Sequence, residues 1–124
     1  MNEEIVIKTL RTSLEKLFPK KCTNCCKQFA TIKEFLLNTS HVGEPIFYDL
    51  RYGDRVHCPP FGIVRMFNCV CGTTLSLRIH ELSVATFIQL QGWIDRESKR
   101  QGVSTDQIMA QIRVKIDDMV LGTG

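Results

Sequence analysis

The residues with the most specific chemistry in this chain are its six cysteines, four of which fall in two close pairs, Cys22-Thr23-Asn24-Cys25 and Cys69-Val70-Cys71. Two such pairs, far apart in sequence and each in a turn-like setting, are how a small domain holds one tetrahedral metal ion. Thiolates must converge to about 2.3 Å from a zinc ion, and a C-x2-C turn aims two sulfurs at one centre while nearby amides donate to them. Gly72, directly after Cys71, suits the positive-φ backbone of a tight turn. The expected ligands are therefore Cys22, Cys25, Cys69 and Cys71. Cys26 or Cys58 is the alternative for one member, leaving the displaced cysteine as a free thiol. His41, His57 and His80 are weaker candidates, because a lone histidine on a strand or loop is more often a surface or satisfied polar residue. Zinc held by four thiolates has no open position for water and is structural, whereas iron in the same cage would be redox-active. The spacing accommodates either metal.

On Cys22 and Cys25 for a first knuckle, and Cys69, Cys71 and Gly72 for a second, the chain resembles the zinc-ribbon and rubredoxin-like group. The resemblance covers roughly residues 20 to 80. It implies two knuckles on neighbouring hairpins enclosing one metal, and it specifies no function. The chain departs from that pattern in three ways: the second pair is C-x-C, the insertion between the pairs is long, and Cys26 adjoins a ligand candidate.

The elements that must position these cysteines are legible from periodicity. Leu10, Leu14, Leu17 and Phe18 mark one face of a helix over residues 3 to 18, ended by Pro19. Thr31 and Glu34 have capping-box spacing and start a short helix over 32 to 38, with Phe35 and Leu36 turned inward. Ile46, Tyr48, Leu50 and Tyr52 alternate with Asp49 and Arg51 as a half-buried strand. Cys58-Pro59-Pro60 places residues 55 to 62 in a loop, since adjacent prolines remove two ladder donors. Strands at 63 to 67 and 73 to 79 form a hairpin with Cys69 and Cys71 at its tip, and Leu75, Leu77 and Ile79 share one face. Ser83 caps a helix showing Val84, Phe87, Ile88, Trp93 and Ile94, which Gly102 stops. Ser104 and Gln107 form a second capping box, and Val103 with Ile108 has the spacing of a hydrophobic staple. The last helix, 105 to 120, shows Ile108, Ile112, Ile116 and Met119.

This pattern predicts an α+β fold: a small antiparallel sheet with a zinc-ribbon-like metal site, one N-terminal helix, one short helix and two C-terminal helices. At 124 residues the chain is read as one domain. Residues 1–19 give the N-terminal helix, 20–82 the metal-binding core and 83–120 a C-terminal helical hairpin.

Composition narrows the function classes. The apolar fraction of 44% without any long uncharged run leaves no span that could cross a membrane. The acidic Met1-Asn2-Glu3-Glu4 start lacks the features of a secretory signal, so a reducing cytoplasm is expected, where cysteines serve as metal ligands or redox thiols rather than disulfides. No deaminase, P-loop, nucleophile-elbow or dinucleotide fingerprint is present, and a non-enzymatic protein is expected. The leading expectation is a regulatory or adaptor module stabilised by metal, binding a protein partner or a second copy through its amphipathic helices. One alternative is nucleic-acid binding. Lys99 to Thr105 followed by Ile108 and Ile112 resembles the turn and second-helix start of helix-turn-helix proteins, with Arg113 and Lys115 as phosphate contacts opposed by Asp106, Asp117 and Asp118. The net charge of +3 is too small to imply this by itself. Between residues 8 and 27, however, Lys8, Arg11, Lys16, Lys20, Lys21 and Lys27 face only Glu15. The other alternative is a redox or metal sensor using Cys26 or Cys58.

Overall fold

A computed structural model describes residues 1–49 and 61–122, the side chains at 48, 49 and 61 excepted. The predicted loop, with His57 and Cys58, and the end of the first predicted strand therefore lie outside the described residues. Only Phe61 and Gly62 of that loop are described, and they open a strand.

The fold is α+β, with four helices and two small antiparallel sheets among the described residues. Helix α1 (Glu3–Glu15) starts where the Asn2 side chain accepts the Ile5 amide at 2.9 Å, with Glu3 and Glu4 at the positive end of its dipole. It ends three residues earlier than its apolar stripe predicts. Leu17 and Phe18 still pack on the core, but from the segment after the helix. Two short strands, β1 (Lys20–Lys21) and β2 (Gln28–Phe29), pair around the first cysteine cluster. Strands this short carry no periodicity that a sequence could display.

Helix α2 (Ile32–Asn38) has the predicted bounds. Thr31 Oγ1 accepts the Glu34 amide at 3.2 Å, while the Glu34 carboxylate accepts from Ala30 N at 3.1 Å, one residue before the cap. Strand β3 (Thr39–Asp49) follows at once, seven residues earlier than predicted. A bulge between Val42 and Ile46, with Gly43 at φ +65°, resets its register on β4 (Phe61–Cys69). That shift reverses the expected alternation. Ile46 is 57% exposed, and Phe47 turns inward to meet Phe87 edge-on at 5.6 Å. Strand β5 (Thr74–Ile79) completes the sheet in the order β3-β4-β5, with Leu75, Leu77 and Ile79 buried as expected.

Helices α3 (Val84–Gln101) and α4 (Thr105–Leu121) pack on one another. The Ser83 cap, the Gly102 stop at φ +69° and the Ser104–Gln107 capping box are all present. The buried stripes differ in part from the predicted ones. Phe87, Leu90, Trp93 and Ile94 are buried on α3 while Val84 and Ile88 are exposed; on α4 Met109 is buried and Met119 exposed. An apolar residue at helical spacing stays outside when the face it completes is wider than the surface that covers it.

One cluster of buried side chains draws on α1, α2, both sheets, α3 and α4. At its centre Phe35 is fully buried and meets Phe18, Phe29 and Phe67 edge-on, with centroids 5.5, 5.0 and 4.8 Å away. Phe29 is on β2 and Phe67 on β4, so this ring cluster joins the bases of the two hairpins that carry the cysteines.

Charge also enters this interior. Arg65, 5% exposed on the inward face of β4, donates to both Asp117 carboxylate oxygens at 2.9 and 2.8 Å and lies over the Phe67 ring. Arg113 lies 4.0 Å from Asp117 and donates to both Glu44 oxygens at 2.7 and 3.2 Å. The network ties α4 to β4 and to the β3 bulge.

Candidate metal centre

The β1–β2 hairpin delivers Cys22 and Cys25, and the β4–β5 hairpin delivers Cys69, the last residue of β4, and Cys71. The four sulfurs lie within 4.8 Å of one another. Cys22 Sγ is 3.8 Å from Cys71 Sγ, and Cys25 Sγ is 3.7 Å from Cys69 Sγ. A regular tetrahedron of thiolates about 2.3 Å from a metal has edges of about 3.8 Å. A disulfide needs sulfurs about 2.0 Å apart. The spacing fits ligands around a shared ion and not bonded sulfurs, and all four thiols are free.

The two turns differ in length but close in the same way. In the first, Cys22 N donates to Lys27 O at 2.9 Å and Cys26 N donates to Cys22 O at 2.9 Å. In the second, Cys69 N donates to Thr73 O at 2.9 Å and Gly72 N to Cys69 O at 2.8 Å. The residue after the second cysteine of each pair has positive φ, +65° at Cys26 and +91° at Gly72. Cys26 thus occupies the place that glycine fills in the other turn. Its thiol is exposed and outside the four-sulfur cluster.

The turns aim donors at the sulfurs. Backbone N–H groups of Cys25 and Asn24 hold the Cys22 thiol below its ordinary value. Cys71 is lowered to about 5, first by the Thr73 hydroxyl 3.3 Å from its sulfur, then by Asn24 Nδ2, which donates to it at 3.5 Å, and by the Thr73 amide. Cys25 receives the Lys27 N–H, but loss of surrounding water and the three neighbouring sulfurs outweigh that donor and push it up to about 11. Without a metal, four crowded sulfurs cannot all ionise, so protons are retained on some of them. A divalent ion removes that conflict by displacing the protons.

Burial divides the cluster. Cys22 and Cys69 belong to the hydrophobic core, and Cys25 and Cys71 face solvent. One edge of the tetrahedron is anchored and the other is accessible. Of the weaker sequence candidates, His41 Nδ1 lies 3.3 Å from Gly43 O and His80 Nδ1 3.2 Å from Arg78 O, and neither joins the sulfurs. Asn24 and Thr73 were not singled out by the sequence as functional. Their signal was position alone, one between the first two cysteines and one directly after Gly72.

No protein-family model, curated protein or solved structure matches this chain.

Proposed function

We propose that Cys22, Cys25, Cys69 and Cys71 hold one structural zinc ion, and that the protein is a non-enzymatic regulatory or adaptor module which binds a protein partner. The observation carrying the metal reading is the convergence of four sulfurs from two hairpin tips, two opposite pairs 3.8 and 3.7 Å apart and all four within 4.8 Å of one another. Zinc is favoured over iron because the required role is that of a cross-link, and zinc supplies it without redox chemistry. A closed set of four thiolates leaves no position for substrate, which supports a binding role over catalysis.

The test is elemental analysis with an absorption spectrum on protein purified without added metal, repeated on Cys71→Ser. About one zinc per chain is expected in a colourless wild type, with loss of most of it in the variant. Visible absorption would indicate iron. A wild type that is folded as purified, holds no metal and takes up none when zinc is added would refute the reading.

The nucleic-acid alternative draws less support. Its proposed phosphate contacts, Arg113 and Lys115, are engaged by Glu44 and Glu3 respectively. A sensor built on Cys26 has in its favour only that the thiol is exposed next to a ligand.

A further inference from the structure

Helices α1 and α4 meet through Leu10, Leu14, Met109, Ile112 and Ile116 in the interior, and both line an open groove of about 640 Å³, across which Lys115 pairs with Glu3. Its apolar lining is Met119 and the buried Ile7, with the long side chains of Lys8, Arg11 and Lys115 around them. Met119 continues the Ile108–Ile112–Ile116 stripe, yet it is 48% exposed. The core-facing stripe of α4 therefore runs out into this groove, where nothing among the described residues covers it.

The charges along the groove select its occupant. Glu3 on the α1 wall is paired with Lys115 across the groove, and the remaining charges of that wall, Glu4, Lys8, Arg11 and Glu15, read acidic, basic, basic, acidic at helical spacing. This series is the same in both directions. A second copy of α1 laid in register, parallel or antiparallel, would set carboxylate against carboxylate and cation against cation. The lining is also nearly balanced, with Glu3, Glu4, Glu15 and Asp118 against Lys8, Arg11 and Lys115, which gives a polyanion no net attraction. Lys8 has no ion-pair partner among the described residues, and the Arg11 charge is shared with Glu15.

We infer that this groove docks an amphipathic helix of another protein, with an apolar stripe over Ile7 and Met119 and flanking charges in the order basic, acidic, acidic, basic. Helix-in-groove binding of this kind is read through anchors at helical spacing. The inference rests on the adaptor reading above and gives it a surface.

The probes are two synthetic helical peptides of roughly 15 residues that share one leucine stripe and carry the basic-acidic-acidic-basic order or its inverse. Binding is measured by fluorescence anisotropy on full-length protein whose metal content has been determined on the same sample. The first peptide should bind at least about tenfold more tightly than the inverse. Met119→Glu should abolish that binding, and Lys8→Glu with Arg11→Glu should erase the preference, because a wall acidic at all four places meets two attractive and two repulsive charges on either peptide. Failure of both peptides to bind, equal binding of both, or a concentration-dependent dimer abolished by Met119→Glu would overturn the inference. Any of these on metal-loaded protein leaves the metal reading standing, and protein that takes up no added zinc yet still discriminates the peptides refutes only the metal reading.

Discussion

At the scale of single residues, the two turns explain why the five described cysteines divide as they do. Cys26 sits in the left-handed region at φ +65°, where a side chain costs about 1 kcal/mol relative to glycine. Cys26→Gly should keep its metal content and gain up to about 1 kcal/mol in urea denaturation; loss of metal would make Cys26 a ligand. The donors around Cys71 have their own consequence. In metal-free protein its thiol ionises at about 5, against 9.0 ordinarily, while Cys25 is raised to about 11. A depressed value stabilises the fold above the ordinary value, and that contribution is lost as pH falls through about 5. The raised value of Cys25 acts oppositely, its contribution being present below the ordinary value and lost as pH rises through about 11. Alkylation followed by peptide mass mapping should therefore label Cys71 first from mildly acidic pH upward, with Cys25 slow until strongly alkaline pH. Equal labelling profiles would remove the proposed donor geometry.

Between elements, the decisive contact is the ion pair of Arg65 with Asp117, which ties β4 to α4 beneath the sheet. Removing Arg65 leaves the Asp117 carboxylate with little water around it and only the more distant Arg113, at 4.0 Å, to offset its charge. Arg65→Met should thus lower stability by about 3–5 kcal/mol, and Arg65→Met with Asp117→Leu should recover most of the loss. A double variant as unstable as the single one would mean that the arginine acts through packing, for example over Phe67. This network was hard to read from the sequence. Arg65 interrupts an inward series of Ile63, Phe67 and Cys69, but only the folded chain brings Asp117 and Glu44, by way of Arg113, to the same place. The bulge in β3 is a similar case. The alternation near Ile46 is real, but the bulge placed Phe47, not Ile46, on the inner face.

For the whole molecule, the metal centre and the aromatic cluster are two cross-links over the same pair of hairpins. Phe29, Phe35 and Phe67 join the hairpin bases, and the four sulfurs join their tips. Because the core extends through all four helices, chelation should lower the melting temperature by at least about 10 °C while far-ultraviolet dichroism at low temperature keeps most of its helical signal. Complete loss of helix would show that the core depends on the metal for folding. The sequence by itself determined the chemistry and the local punctuation. Cysteine spacing, Thr31, Ser83, Gly102 and the Ser104–Gln107 box act within a few residues, and local physics suffices to read them. Only the tertiary structure decided that the C-x2-C and C-x-C turns close alike, that Cys26 stands where the other turn has glycine, and that Met119 stays outside. Each depends on which surfaces meet across the fold, and no local spacing encodes that meeting.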